Sequence, residues 1–220
     1  MSRREEAKAE RRRRIILAAR DLIKETGDAG LSMRAIAARA GVSLTTPYNL
    51  FGSKRAIIIA LLEDVREFHE RFSQLHGVGA VDRIFHAVSI TLTYLAEDPE
   101  FYRTLWTEAL RFDSKELRSE MQSPQRYGFW WALLDEARGE GALLAGTEID
   151  PLLRALDGVY VAAMLAWVLG AIDIGEIEPH VSYGYALTLR GAASEEAGVQ
   201  LGRRLLGYQR DLLRVRGRAA

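Results

Sequence analysis

Thr45, Thr46 and Tyr48 carry hydroxyls, Asn49 an amide and Lys54 an ammonium, all close together in the chain. These groups form hydrogen bonds and ion pairs rather than break bonds. Hydroxyls and a lysine suit phosphate oxygens, and Asn49 can bind a phosphate or an adenine edge. Leu44, Thr45 and Pro47 offer carbon to a thymine methyl. An ordinary polar surface helix could carry the same residues, so the elements around them decide what they mean.

Those elements read as helices. A first helix over 9–26 puts Ile15, Ile16, Ala19, Leu22 and Ile23 on one face and Arg and Lys on the other. Ser32 is placed to cap a second helix, Met33 to Ala40, and Gly41 to end it. Two short helices joined through a glycine-containing turn form the helix-turn-helix pattern. The third helix, Thr45 to Phe51, is about 10 Å long. Pro47 is tolerated in its first turn and stiffens that end. Gly52 ends it and Ser53 caps a fourth helix, Lys54 to about Leu75. The first turns after Ser32 and Ser53 present backbone N–H groups that also suit phosphate.

Charge supports the same partner. The chain has 30 Lys+Arg and 30 Asp+Glu, a net charge of zero. Residues 1–60 nevertheless hold 13 basic and 6 acidic side chains. A basic head on an acidic body points the head towards a polyanion. Arg34 and the run Arg11 to Arg14 would add salt-sensitive attraction, although a basic terminus can also be a solvated tail.

Residues 11–60 resemble the DNA-binding domain of the TetR family of bacterial transcriptional regulators. The resemblance rests on the amphipathic first helix, on Met33-Arg34-Ala35-Ile36-Ala37-Ala38-Arg39-Ala40-Gly41-Val42-Ser43, and on Tyr48-Asn49-Leu50-Phe51-Gly52-Ser53-Lys54. Pro47 departs from the pattern, which has Leu, Ile or a similar apolar residue there. The resemblance implies a DNA-contacting set of Ser32, Arg34, Leu44, Thr45, Thr46, Pro47, Tyr48, Asn49 and Lys54.

The remainder shows helical periodicity and no sustained alternation, so the whole chain is expected to be all-α. An N-terminal basic arm and three-helix helix-turn-helix domain, residues 1–55, would precede a helical body, residues 56–220, with the helix from 54 as connector. Helices are expected over 80–97, 100–112, 114–138, 151–172, 178–193 and 195–216. The body is rich in aromatics, most of them explicable as core. The resemblance implies an effector pocket among them, for which Trp106, Phe112, Trp130, Tyr160 and Met164 suit a mostly apolar ligand. The helix over 151–172 is too apolar to face water. With 178–193 it fits either burial in one subunit or a two-fold four-helix interface. Family habit favours the dimer, through Val159, Ala163, Ala166, Tyr183 and Leu187.

Other functions find little support. His69, His76, His86 and His180 fall at no metal-binding spacing, and there is no His-Glu-x-x-His, Gly-x-Ser-x-Gly or phosphate loop. No enzyme, cofactor or metal is therefore expected. The chain has no cysteine, which fits a reducing, cytoplasmic setting. Val159 to Ile172, 14 residues, is the longest uncharged apolar run, short of the roughly 20 that cross a membrane. The expected partners are thus an operator in double-stranded DNA, a small-molecule effector and a second copy of the chain. The competing reading is an all-helical small-molecule-binding protein without an operator, which would have no need of the basic head.

Overall fold

The computed structural model describes residues 2–27, 31–63, 68–75, 77–111 and 124–216. Among them the chain forms eleven helices and no strand. In order these are α1 (Arg3–Thr26), α2 (Met33–Ala40), α3 (Thr45–Phe51), α4 (Lys54–Glu63), α5 (Phe68–Ser73), α6 (Ala80–Glu97), α7 (Pro99–Ala109), α8 (Pro124–Gly139), α9 (Ile149–Val168), α10 (Ile174–Arg190) and α11 (Glu195–Arg216). The all-α expectation holds.

The boundaries differ in two informative places. α1 starts six residues earlier than the apolar periodicity implies, because Ser2 and Glu5 form a capping box. The stretch that reads as a charged tail is helix. Downstream, the helix expected over Lys54–Leu75 is seen as α4 and α5, with 64–67 outside the described residues. The first half of the helix expected over 114–138 also lies outside them.

The chain divides into two compact units. The first contains α1–α4 and α7. Its core is Ile15, Ala19, Ile23, Ile36, Ile57, Ile58 and Leu61, joined by Leu105 and Trp106 from α7. α7 is strapped to the other helices by charge as well as packing. Lys24 pairs with Asp98 at its N-cap, and Arg20 lies over the Phe101 ring.

The second unit contains α5, α6 and α8–α11. α10 packs between α9 and α11, with Val181, Tyr185, Ala186 and Leu189 buried. Gly184 lets α9 approach closely, since a Cβ there would overlap Val159 Cγ1. α9 is long and apolar enough to cross a membrane. It nevertheless carries Arg154 and Asp157, and Asp157 pairs with Arg126 of α8 within the unit.

Candidate nucleic-acid interface

α3 is seven residues long and its N-terminus has no side-chain cap. A helix this short does not persist alone, so its pose depends on its surroundings. Pro47 is buried and packs towards the core. That removes it from the set that could reach a thymine methyl. The missing N–H of Pro47 costs nothing in the first turn.

Turning Pro47 inward turns Leu44, Thr45, Tyr48 and Asn49 outward. Leu44 and Tyr48 are 45% and 51% exposed, and Thr45 and Asn49 are exposed beside them. Residues three and four apart share a helix face, so these four form one exposed surface. Thr46 is half-buried. Its hydroxyl and that of Thr45 lie 2.8 and 3.0 Å from Ser43 Oγ, which fixes both rotamers at the entry to the helix.

The far end of α3 is held by α1. Arg12 Nη1 donates to the Leu50 carbonyl at 3.2 Å, and its guanidinium sits 4.1 Å from the Phe51 ring centroid. A cation at a helix C-terminus complements the free carbonyls and the dipole. Arg14 does the same for α2, donating to the carbonyls of Ala40 and, at 2.9 Å, Gly41. Gly41 has φ 61°, and a Cβ there would lie 3.0 Å from Arg14 Nη2. The left-handed backbone favours glycine here, and an added methyl would also push the guanidinium aside. Arg12 and Arg14 serve the fold, which corrects their reading as members of a free basic block. Nothing in the sequence pattern marks them apart from Arg11 and Arg13.

Ser32 and Ser53 act as caps, accepting from Ala35 N at 3.1 Å and Ala56 N at 3.2 Å. Their hydroxyls are thus engaged in the caps. Arg34 is exposed on α2. Lys54 is not the free cation expected: Nζ donates to Glu108 Oε1 of α7 at 3.1 Å, and Arg111 holds the other carboxylate oxygen at 3.1 Å. α1 is tied to α2 by Arg39, which grips Glu25 with two bonds of 2.8 and 2.7 Å. That fork holds the Glu25 carboxyl below its ordinary pKa.

The residues expected to line an effector pocket fall in different places. Trp106 is buried in the first unit, and Phe112 lies outside the described residues. Trp130, Tyr160 and Met164 are all in the second unit, Met164 fully buried. Around them stand residues the sequence did not single out. Trp130 meets Tyr185 edge-on at 6.4 Å between centroids, and Phe129 bridges it to Phe68 and Phe72. Arg126 pairs with Asp157 at 2.9 Å and lies 6.0 Å from the Tyr160 ring. Burial raises the Asp157 carboxyl pKa and pushes the Tyr185 phenol far up, with Arg126 opposing both shifts. An ion pair walled by two tyrosines and a tryptophan can orient a polar group at the end of an apolar ligand.

Of the residues expected at a dimer interface, Ala163 is buried within the chain and Val159 packs on Gly184. Ala166 and Tyr183 are half-buried, and Leu187 is 49% exposed. Leu165 on α9 and Leu169 just after it are also exposed. Among the described residues no cluster of His, Asp or Glu could hold a metal ion.

Residues 15–61 match the family described as bacterial regulatory proteins, tetR family. No curated protein matches the sequence. Solved structures resemble the fold over most of their length. TylP, a TetR regulator from Streptomyces fradiae, has a TM-score of 0.62 at 22% identity, over 96% of this chain and 93% of that one. FadR from Thermus thermophilus, a TetR-family transcriptional repressor solved with lauroyl-CoA, has a TM-score of 0.63 at 22% identity, over 84% and 96%. FadR from Bacillus subtilis, a transcriptional regulator solved with stearoyl-CoA, has a TM-score of 0.58 at 24% identity, over 81% and 97%.

Proposed function

We propose, on the premise that the N-terminal domain belongs to the TetR family of bacterial regulatory proteins, that this chain is a dimeric, ligand-responsive regulator of transcription. It acts as a repressor that leaves a near-palindromic operator when a mostly apolar small molecule binds the second unit. The observation that carries the reading is the exposed face of α3, Leu44, Thr45, Tyr48 and Asn49, on a helix held by Pro47 at one end and Arg12 at the other.

In a two-fold dimer the two α3 faces would enter successive major grooves, about 34–36 Å apart. The exposed leucines Leu165 of α9, Leu169 at its C-terminal cap and Leu187 of α10 are suited to a partner copy. Trp130, Tyr160 and Met164 supply apolar contact to the effector, with Arg126 and Asp157 for its polar end. The two FadR structures hold acyl-CoA molecules, which supports an effector with a long apolar portion. A coupling of about 1–3 kcal/mol between effector and operator is the usual scale.

The test is selection of duplexes from a random library, followed by affinity measurement at fixed salt. The selected duplex is expected to bind tighter than random DNA by about 10³-fold or more. Asn49→Ala and Tyr48→Ala should each cut that preference without lowering stability. Equal affinity for selected and random DNA would sink the reading and favour a binding protein without an operator.

A further inference from the structure

We propose that the first three turns of α1 form a second DNA-contacting surface, in which Arg4, Lys8 and Arg11 engage phosphates flanking the groove that α3 enters. This rests on the DNA-binding reading above and adds a surface to it.

Every residue from Ser2 to Arg14 is exposed, and Ile15 is the first buried residue of α1. About 18 Å of helix therefore projects beyond the core. It is capped by Ser2 and Glu5, so its side chains are held in a fixed array rather than on a loose tail.

One face of this projection carries basic and no acidic residues. Arg4, Lys8 and Arg11 follow i, i+4, i+7 spacing, and the next member of the row is Ile15, which is buried. The basic row thus prolongs the face by which α1 meets the other helices. Arg12 and Arg14 flank that face, one reaching the end of α3 and the other the end of α2. They show which way the row points: towards the side of α1 where the helix-turn-helix lies. Arg3, Glu6, Glu10 and Arg13 occupy the opposite side, where Arg13 and Glu10 pair at 3.0 Å. Solvation alone would not require this segregation. The only apolar residues between Ser2 and Arg14 are Ala7 and Ala9, so the projection has no side to insert into lipid.

Each phosphate neutralised contributes about 0.9 to the slope of log K against log salt. In the full-length protein, Arg4→Gln with Lys8→Gln and Arg11→Gln should make that slope shallower by about 5 on a selected duplex that binds two copies, three phosphates from each. Hydroxyl-radical protection should also retreat from the flanks. Far-UV circular dichroism and stability should stay close to wild type, because none of the three side chains is in the core. A second variant, Lys8→Ala with Ala9→Lys, keeps the net charge and moves one cation off the row. It should lose one contact's share of the slope from each copy, about 2 for the dimer. A wild-type slope and footprint in the triple variant would overturn the proposal, as would a charge-shifted variant indistinguishable from wild type. If the wild-type protein prefers no duplex, the proposal fails together with the reading it rests on. If only the variants match wild type, it fails alone.

Discussion

Lys54, the first residue of α4, donates to Glu108 of α7 across 3.1 Å, and Arg111 closes on the carboxylate's other oxygen. The pair links the helix that follows α3 to α7, which enters the first unit from a distant part of the sequence. Both side chains are largely covered, with 29% and 16% exposure, so removing one partner leaves the other poorly solvated. Glu108→Gln should cost about 1–2 kcal/mol in chemical denaturation, between the values for exposed and buried pairs. Lys54→Met combined with Glu108→Leu should recover most of the loss. Additive losses in the double variant would show that the two residues are not coupled.

Arg12 makes a different prediction from the cations of the projecting turns. Arg12→Gln removes the guanidinium from the Leu50 carbonyl and the Phe51 ring. Loss of a hydrogen bond and a cation–π contact at the end of α3 should lower operator affinity by about 1 kcal/mol, roughly fivefold. The salt slope should not change, because Arg12 neutralises no phosphate. A shallower slope in this variant would mean that Arg12 binds DNA directly.

The approach of α9 to α10 depends on a missing side chain. Gly184→Ala would drive a methyl into Val159 Cγ1 and force the two helices apart. A loss of about 1–3 kcal/mol is expected on thermal unfolding. Val159→Ala should make room for the added methyl, so the double variant should be more stable than Gly184→Ala alone. Unchanged stability in Gly184→Ala would show that the helices are not packed this closely.

Acid should loosen the tie between α1 and α2. The fork from Arg39 lowers the folded-state pKa of Glu25 below its ordinary value of 4.5. A depressed carboxylate contributes stability above its unfolded pKa and loses it as pH falls through the folded value. Glu25→Gln should therefore be less stable than wild type at neutral pH. The gap should close as the pH drops below the ordinary carboxylate range. A gap of constant size would show that the ion pair does not produce it.

The legible part of the molecule was the local part. The apolar rows of α1 and α2, the cap at Ser32 and the exits at Gly41 and Gly52 are short-range signals, and each is realised in the structure. The capping box at Ser2 and Glu5 was equally readable, and overlooking it made a helix look like a tail. The aromatic wealth of the body was visible too. Its arrangement around Arg126 and Asp157 was not, because that ion pair joins residues 31 apart on two different helices.

By itself the sequence determined that the chain is helical and where a helix-turn-helix lies. These follow from periodicity and from caps acting over three or four residues. Tertiary structure alone decided what each charge does. Arg12 finds Leu50 across 38 residues, Arg14 finds Ala40 across 26 and Lys54 finds Glu108 across 54. Four arginines in a row look alike in sequence. Successive residues of a helix point in different directions, so packing gave two of them helix ends to hold and left Arg11 exposed.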